Sequence, residues 1–223
     1  MKKTIINQIV RSLGIMICSI CLYTVVEPIL SFGSSNTVSQ SVTTELAIVT
    51  PANNISLSPN IDVSVGGQAS GQTQVVVATN DHLGYSMTIQ ASSSLGMIGN
   101  ASSTQFIPAY VTSVPGIPDY NFTVPANKAY FGYTVEASTT SDLASSFKDS
   151  LGVCGDSLGS DTQDKCWISA STTAYTIVNR NSQTLLSGST TTLKFLVYIN
   201  ANSSPGIIND TYVATTTLTA IAN

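Results

Sequence analysis

Residues 193–199, LKFLVYI, set Leu193, Phe195, Val197 and Ile199 against Lys194, Leu196 and Tyr198. A period of two buries one face only if the chain is a pleated strand, since a helix would scatter those residues around its axis. The same period appears in IDVSV, where Ile61, Val63 and Val65 oppose Asp62 and Ser64. It appears again in YSMTIQ, where Tyr85, Met87 and Ile89 oppose Ser86, Thr88 and Gln90. TQVVVAT, AYFGYTVEA and TYVATTTLTAI read as further strands, rich in the β-branched residues that suit a half-buried sheet. NDHLG, residues 80–84, reads as a hairpin connection. The single helical candidate is SDLASSFKDSLG: Ser141 or Asp142 caps it, Leu143 and Phe147 lie four apart, and Gly152 ends it. The expectation is an all-β chain, an antiparallel β-sandwich with one short helix. No internal repeat is present.

Only 9% of the 223 residues are charged, against roughly a quarter in ordinary soluble proteins. Hydrophobic residues make up 43%, enough for a core, so the outward positions must be mostly hydroxyl and amide. The chain opens with Lys2, Lys3 and Arg11, then an apolar run from Leu13 to Val26, then Glu27-Pro28 and small residues. That order is the pattern of a secretory signal peptide, with Ser31-x-Gly33 as the cleavage site. A retained N-terminal anchor is the alternative, although the run is shorter than the roughly 20 residues a spanning helix needs. Bulky Ile17 and Ile20 precede Cys18 and Cys21, which argues against lipid attachment there. The expected organisation is a signal peptide or anchor over 1–33, a hydroxyl-rich leader over 34–44 and one domain over 45–223. Removing 1–33 leaves 8 − 3 = 5 basic and 12 − 1 = 11 acidic residues, a net charge of −6. A chain this acidic has no basic patch for nucleic acid and no polybasic membrane contact. The membrane is a partner only through an uncleaved N-terminal segment. No sorting motif or C-terminal membrane segment is seen.

Outside residues 1–33, Cys154 and Cys166 are the only cysteines. Two cysteines in an exported chain are expected to form one disulfide, closing a loop that its glycines would otherwise leave loose. The rival reading is a calcium loop built on Asp156, Asp161 and Asp164, hard oxygen donors whose spacing departs from the alternating calcium-loop pattern. The cysteines also lack the C-x-x-C spacing of a redox pair.

Residues 106–125, FIPAYVTSVPGIPDYNFTVP, contain Pro108, Pro115, Pro118 and Pro125, which exclude a central strand. Their aromatics are read either as capping an open end of the sandwich or as facing a ligand. On the second reading Tyr110, Tyr120, Phe122 and Trp167 offer stacking faces for sugar rings. Catalytic motifs are sparse. His82 is the only histidine and lies in a predicted turn beside Asp81, so any serine–histidine–acid triad would depend on it. No P-loop, G-x-G-x-x-G or H-E-x-x-H occurs, and no cofactor is implied. Hydrolysis would need a carboxylate pair around Glu136 or Asp142. An isopeptide crosslink through Lys194 is not expected, because its place opposite Phe195 points it outward and an unpaired buried lysine would be costly. N-x-[S/T] sequons occur at Asn54, Asn100, Asn121, Asn202 and Asn209.

VVVATNDHLGYSMTIQAS together with GIINDTYVATTTLTAI resembles the WxL-type domains of Gram-positive cell-wall proteins. Tyr85-Ser86-Met87 stands where Trp-x-Leu would be, so wall binding does not carry over. The wider layout, with FGYTVEA and the C…CW loop before a strand-rich end, resembles uncharacterised exported β-sandwich surface proteins of candidate-phylum bacteria. That resemblance implies the fold and no site residue. The functional expectation is an exported, non-catalytic cell-surface structural or interaction protein: an envelope, pilus-like or adhesive subunit. Its partners would be envelope components, glycans or copies of itself. A secreted carbohydrate-binding module is second and a secreted hydrolase third.

Overall fold

The structure, a computed structural model, describes residues 37, 39–150, 152–155 and 162–223. Thr43–Asn223 form one compact unit. The expected signal peptide, Cys18, Cys21, Asp156 and Asp161 lie outside the described residues. Among the described residues no helix is long and apolar enough to cross a membrane.

The chain is all-β and its named strands pair antiparallel. In order they are β1 (Leu46–Thr50), β2 (Gly66–Thr79), β3 (Tyr85–Ala91), β4 (Gly96–Gly99), β5 (Phe106–Pro108), β6 (Asp119–Tyr120), β7 (Ala129–Ala137), β8 (Asp149–Ser150), β9 (Val153–Cys154), β10 (Cys166–Trp167), β11 (Tyr175–Arg180), β12 (Ser189–Asn200), β13 (Tyr212–Val213) and β14 (Thr216–Ala222). The largest sheet runs β1-β2-β12-β7 and a second runs β11-β3-β14. Inward residues of both sheets belong to one hydrophobic cluster: Val75, Val135 and Leu193 from the first, Met87, Ile89 and Ile177 from the second. Three small pairings, β13-β4-β5, β10-β6 and β8-β9, surround them.

The period of two holds along β3 and β12. Leu193, Phe195, Val197 and Ile199 are buried, and Lys194, Leu196 and Tyr198 are half-buried on the other face. Elsewhere local chemistry overrides it. IDVSV is a turn, not a strand: the Asp62 carboxylate accepts from the Ser64 amide at 2.9 Å and hydroxyl at 2.7 Å, and Val65 is left 75% exposed. A short acid that bonds its own backbone two residues on competes with the ladder.

NDHLG likewise does not close a hairpin. β2 and β3 sit in different sheets, so the turn carries the chain from one to the other. Asp81 accepts from the Leu83 amide, and Gly84 turns at φ +79°, where a Cβ would strike the Arg180 carbonyl. TYVATTTLTAI is two strands, β13 and β14, in different sheets. The helical candidate is two single 3-10 turns, Thr140–Asp142 and Ser145–Phe147, followed by β8. The helix breaks because Leu143 and Ala144 are extended, with ψ 142° and 144°. Leu143 is buried and bridges Val178, while Asp142 is drawn into an ion pair with Arg180 at 2.6 Å. Burying Leu143, worth about 1.5–3 kcal/mol, outweighs a short helix whose propensity gain is about 1 kcal/mol at most.

Candidate functional site

Two regions carry features beyond core packing. The first is the outer side of β7, where the proline-rich segment and the cysteine loop converge.

Cys154 and Cys166 are bonded, with Cα atoms 5.8 Å apart. The bond fixes the start of β10, and the residues around it lie along the free edge of β7. Ile168 and Tyr133 exchange both backbone hydrogen bonds, at 2.8 and 3.0 Å. The Tyr110 amide donates to the Phe131 carbonyl at 2.8 Å, and the Gln163 side-chain oxygen accepts from the Ala137 amide at 2.6 Å. Gly132 permits this close cover: a Cβ there would lie 2.9 Å from the Phe122 ring and 3.1 Å from the Ile168 carbonyl.

Tyr110 and Phe122 of the segment 106–125 belong to this cover. Tyr110 stacks on Phe122 at 4.5 Å and meets Tyr130 edge-on at 5.9 Å, and Phe122 meets Trp167 edge-on at 5.3 Å. Tyr110 is only 3% exposed, so it presents no face to a ligand and is withdrawn from the expected stacking set. Its hydroxyl donates to Asp119 at 3.1 Å and accepts from the Thr123 amide at 3.3 Å. Burial, with smaller help from the Asp119 charge, pushes its pKa up to about 12. Tyr120 packs against the core, and its ring lies beside Gly152 of the cysteine loop. Phe122 and Trp167 are half-buried, as is Tyr130 on the other side of Tyr110.

The loop acids do not share one role. Asp149 is buried and accepts from the Thr162 amide and hydroxyl. Asp164 meets Lys194 at 2.7 Å, and Lys194 meets Glu136 at the same distance. Burial alone would lower the Lys194 pKa, but hydrogen bonds to Asp164 and Glu136 outweigh it and hold the value above the ordinary 10.5. Asp164 serves as an ion-pair partner that ties the loop to the sheet. Glu136 and Asp142 each engage a separate cation, Lys194 and Arg180, and Asp142 also accepts from the Ser189 hydroxyl at 2.9 Å. His82 is 86% exposed, with Asp81 at 3.6 Å. All five sequon asparagines are exposed.

The second region is the opposite margin of the core. A groove of about 1120 Å³ opens there between the segment 51–63 and the residues leading into β14. Its floor is the inward face of β2 and β12, including Val75, Phe195 and Val197, and its walls carry Leu57, Ile61 and Leu218. Sequence reading missed this groove. The one signal available was TYVATTTLTAI, a long uncharged stretch with no residue that protects a sheet edge.

No family model matches the chain, and comparison with curated proteins returns no match. The class defined so far is an antiparallel all-β domain closed by one disulfide.

Proposed function

We propose that the chain is an exported, non-catalytic surface protein that works by binding or assembly. The observation that carries this reading is the Cys154–Cys166 disulfide, because such bonds persist in oxidising compartments and are rare in the cytosol. The signal-like N-terminus, the 9% charged composition and the hydroxyl-rich outward faces support the same reading. So does the engagement of the carboxylates proposed for hydrolysis with cations. Cell fractionation with N-terminal sequencing tests it. The expected product is an envelope or medium fraction that begins near Ser34 and carries no free thiol. A cytoplasmic protein with both thiols free would refute it.

Glycan binding is the second reading. The half-buried rings of Phe122, Tyr130 and Trp167, grouped on the outer side of β7, favour it. A glycan array should then show hits that Trp167→Ala abolishes, and an array without hits removes this reading.

A further inference from the structure

The two main sheets are unequal. One has four strands and the other three, and no described strand is hydrogen-bonded to the outer edge of β14, although β1 of the first sheet packs near it. The groove of about 1120 Å³ lies at this margin. Strand β14 bears the mark of a missing neighbour. Its inward residues Thr216, Leu218 and Ala220 are only half-buried, whereas the inward residues of adjacent β3 are all buried. Its outer edge, unpaired among the described residues, also lacks the usual protection. TTLTAIA contains no charge and no proline, and its seven-residue register with β3 has no bulge. Natural sheets seldom leave such an edge open, because its free amides and carbonyls template another strand.

We infer that this edge and groove accept an extended strand, and that the strand is the leader, residues 34–44, of a second copy of the chain. SSNTVSQSVTT is uncharged, and its β-branched residues suit a sheet. Val38 and Val42 fall on one face of the extended chain, the face that would enter the groove. Every described residue of this stretch is exposed, with Val42 at 78%, so its apolar side is unused within its own described chain. Its reach suffices: eleven extended residues span roughly 36 Å, and β14 runs roughly 23 Å.

A chain is poorly placed to fill its own groove. Asn80 holds the base of the leader, accepting from the Glu45 amide at 2.7 Å and donating to the Thr43 carbonyl at 3.0 Å. That clamp fixes where the leader begins, and a second copy's leader is free of it. The inference rests on the export reading, since cleavage near Gly33 would free Ser34 as the leading residue.

The test uses the full chain, exported and processed by its host, with light scattering across a concentration series and hydrogen exchange of the β14 amides. Oligomers should grow with concentration while exchange at β14 slows. Val42→Asp should weaken assembly about tenfold or more, the scale set by burying one valine. It should leave the fold of each copy unchanged, because Val42 is exposed. A synthetic peptide of residues 34–44 should bind the Val42→Asp chain and cap growth of the parent. A chain monomeric throughout with fast β14 exchange overturns the inference. So does a monomer with slow β14 exchange, which would mean insertion of its own leader, and so do oligomers indifferent to Val42→Asp and to the peptide. These outcomes are separate from export: a surface-located monomer sinks only this inference, whereas a cytoplasmic chain with free thiols sinks the reading beneath it.

Discussion

β7 and β14 are both outermost strands of their sheets, and the chain treats them in opposite ways. The edge of β7 is sealed by Ile168, Tyr110 and Gln163, which occupy its backbone groups one after another. The cover is stapled by the disulfide and tied down through Asp164 and Lys194. Among the described residues no strand pairs with the outer edge of β14, and a groove opens beside its start. Sealing one edge so thoroughly shows that this chain can block unwanted pairing. The edge of β14, unpaired among the described residues, has no such seal.

Cutting the staple should have the largest effect. Replacing Cys154 and Cys166 together with serine should cost about 2–5 kcal/mol by thermal or denaturant unfolding. Hydrogen exchange should quicken at Tyr133 and Ala137 and stay constant along β14. Equal acceleration at both edges would erase the contrast. Gly132→Val comes next. Its new side chain would press into Phe122 and Ile168, and overpacking of this kind costs about 1–3 kcal/mol, measurable in the same melts.

Lys194→Met should cost about 0–1 kcal/mol, as partly exposed ion pairs usually do. Its pH dependence is the sharper readout. The folded pKa of Lys194 is the raised one, so its contribution is complete below the unfolded value, near 10.5, and is lost as pH climbs through the folded value. On the alkaline side the parent and the variant should therefore converge in stability only as pH climbs past the folded value. Smallest of all, Ile221→Lys on the bare edge should change the stability of a single copy by no more than about 0.5 kcal/mol, because Ile221 is 58% exposed. A large loss there would mean that β14 is already engaged within its own domain.

The sequence made the strands legible where burial alone decides. β12 and β3 alternate because nothing local competes with their pleat. It misled where a short polar side chain or a long-range contact intervened. Asp62 turned an alternating stretch into a turn, Asp81 helped carry the chain between sheets, and the Asp142–Arg180 pair drew a helical pattern into separate turns. The disulfide was readable from cysteine count alone. What it holds in place was not, because the match of Ile168 to Tyr133 joins residues 35 apart through backbone atoms that carry no sequence identity. The ring cluster was visible as composition, but only the fold separates Tyr110, a buried support, from Phe122 and Trp167 at the surface.

The covalent ring also bears on proteolysis. Lys165 is exposed immediately before Cys166, so a trypsin-like cut there would sever β10 to β14 from everything upstream. The sulfur bridge spans that cut, and the nicked molecule would migrate as one species until a reductant parts it. Damage to the peptide backbone at this point would leave the assembled sheets, and whatever depends on them, in register.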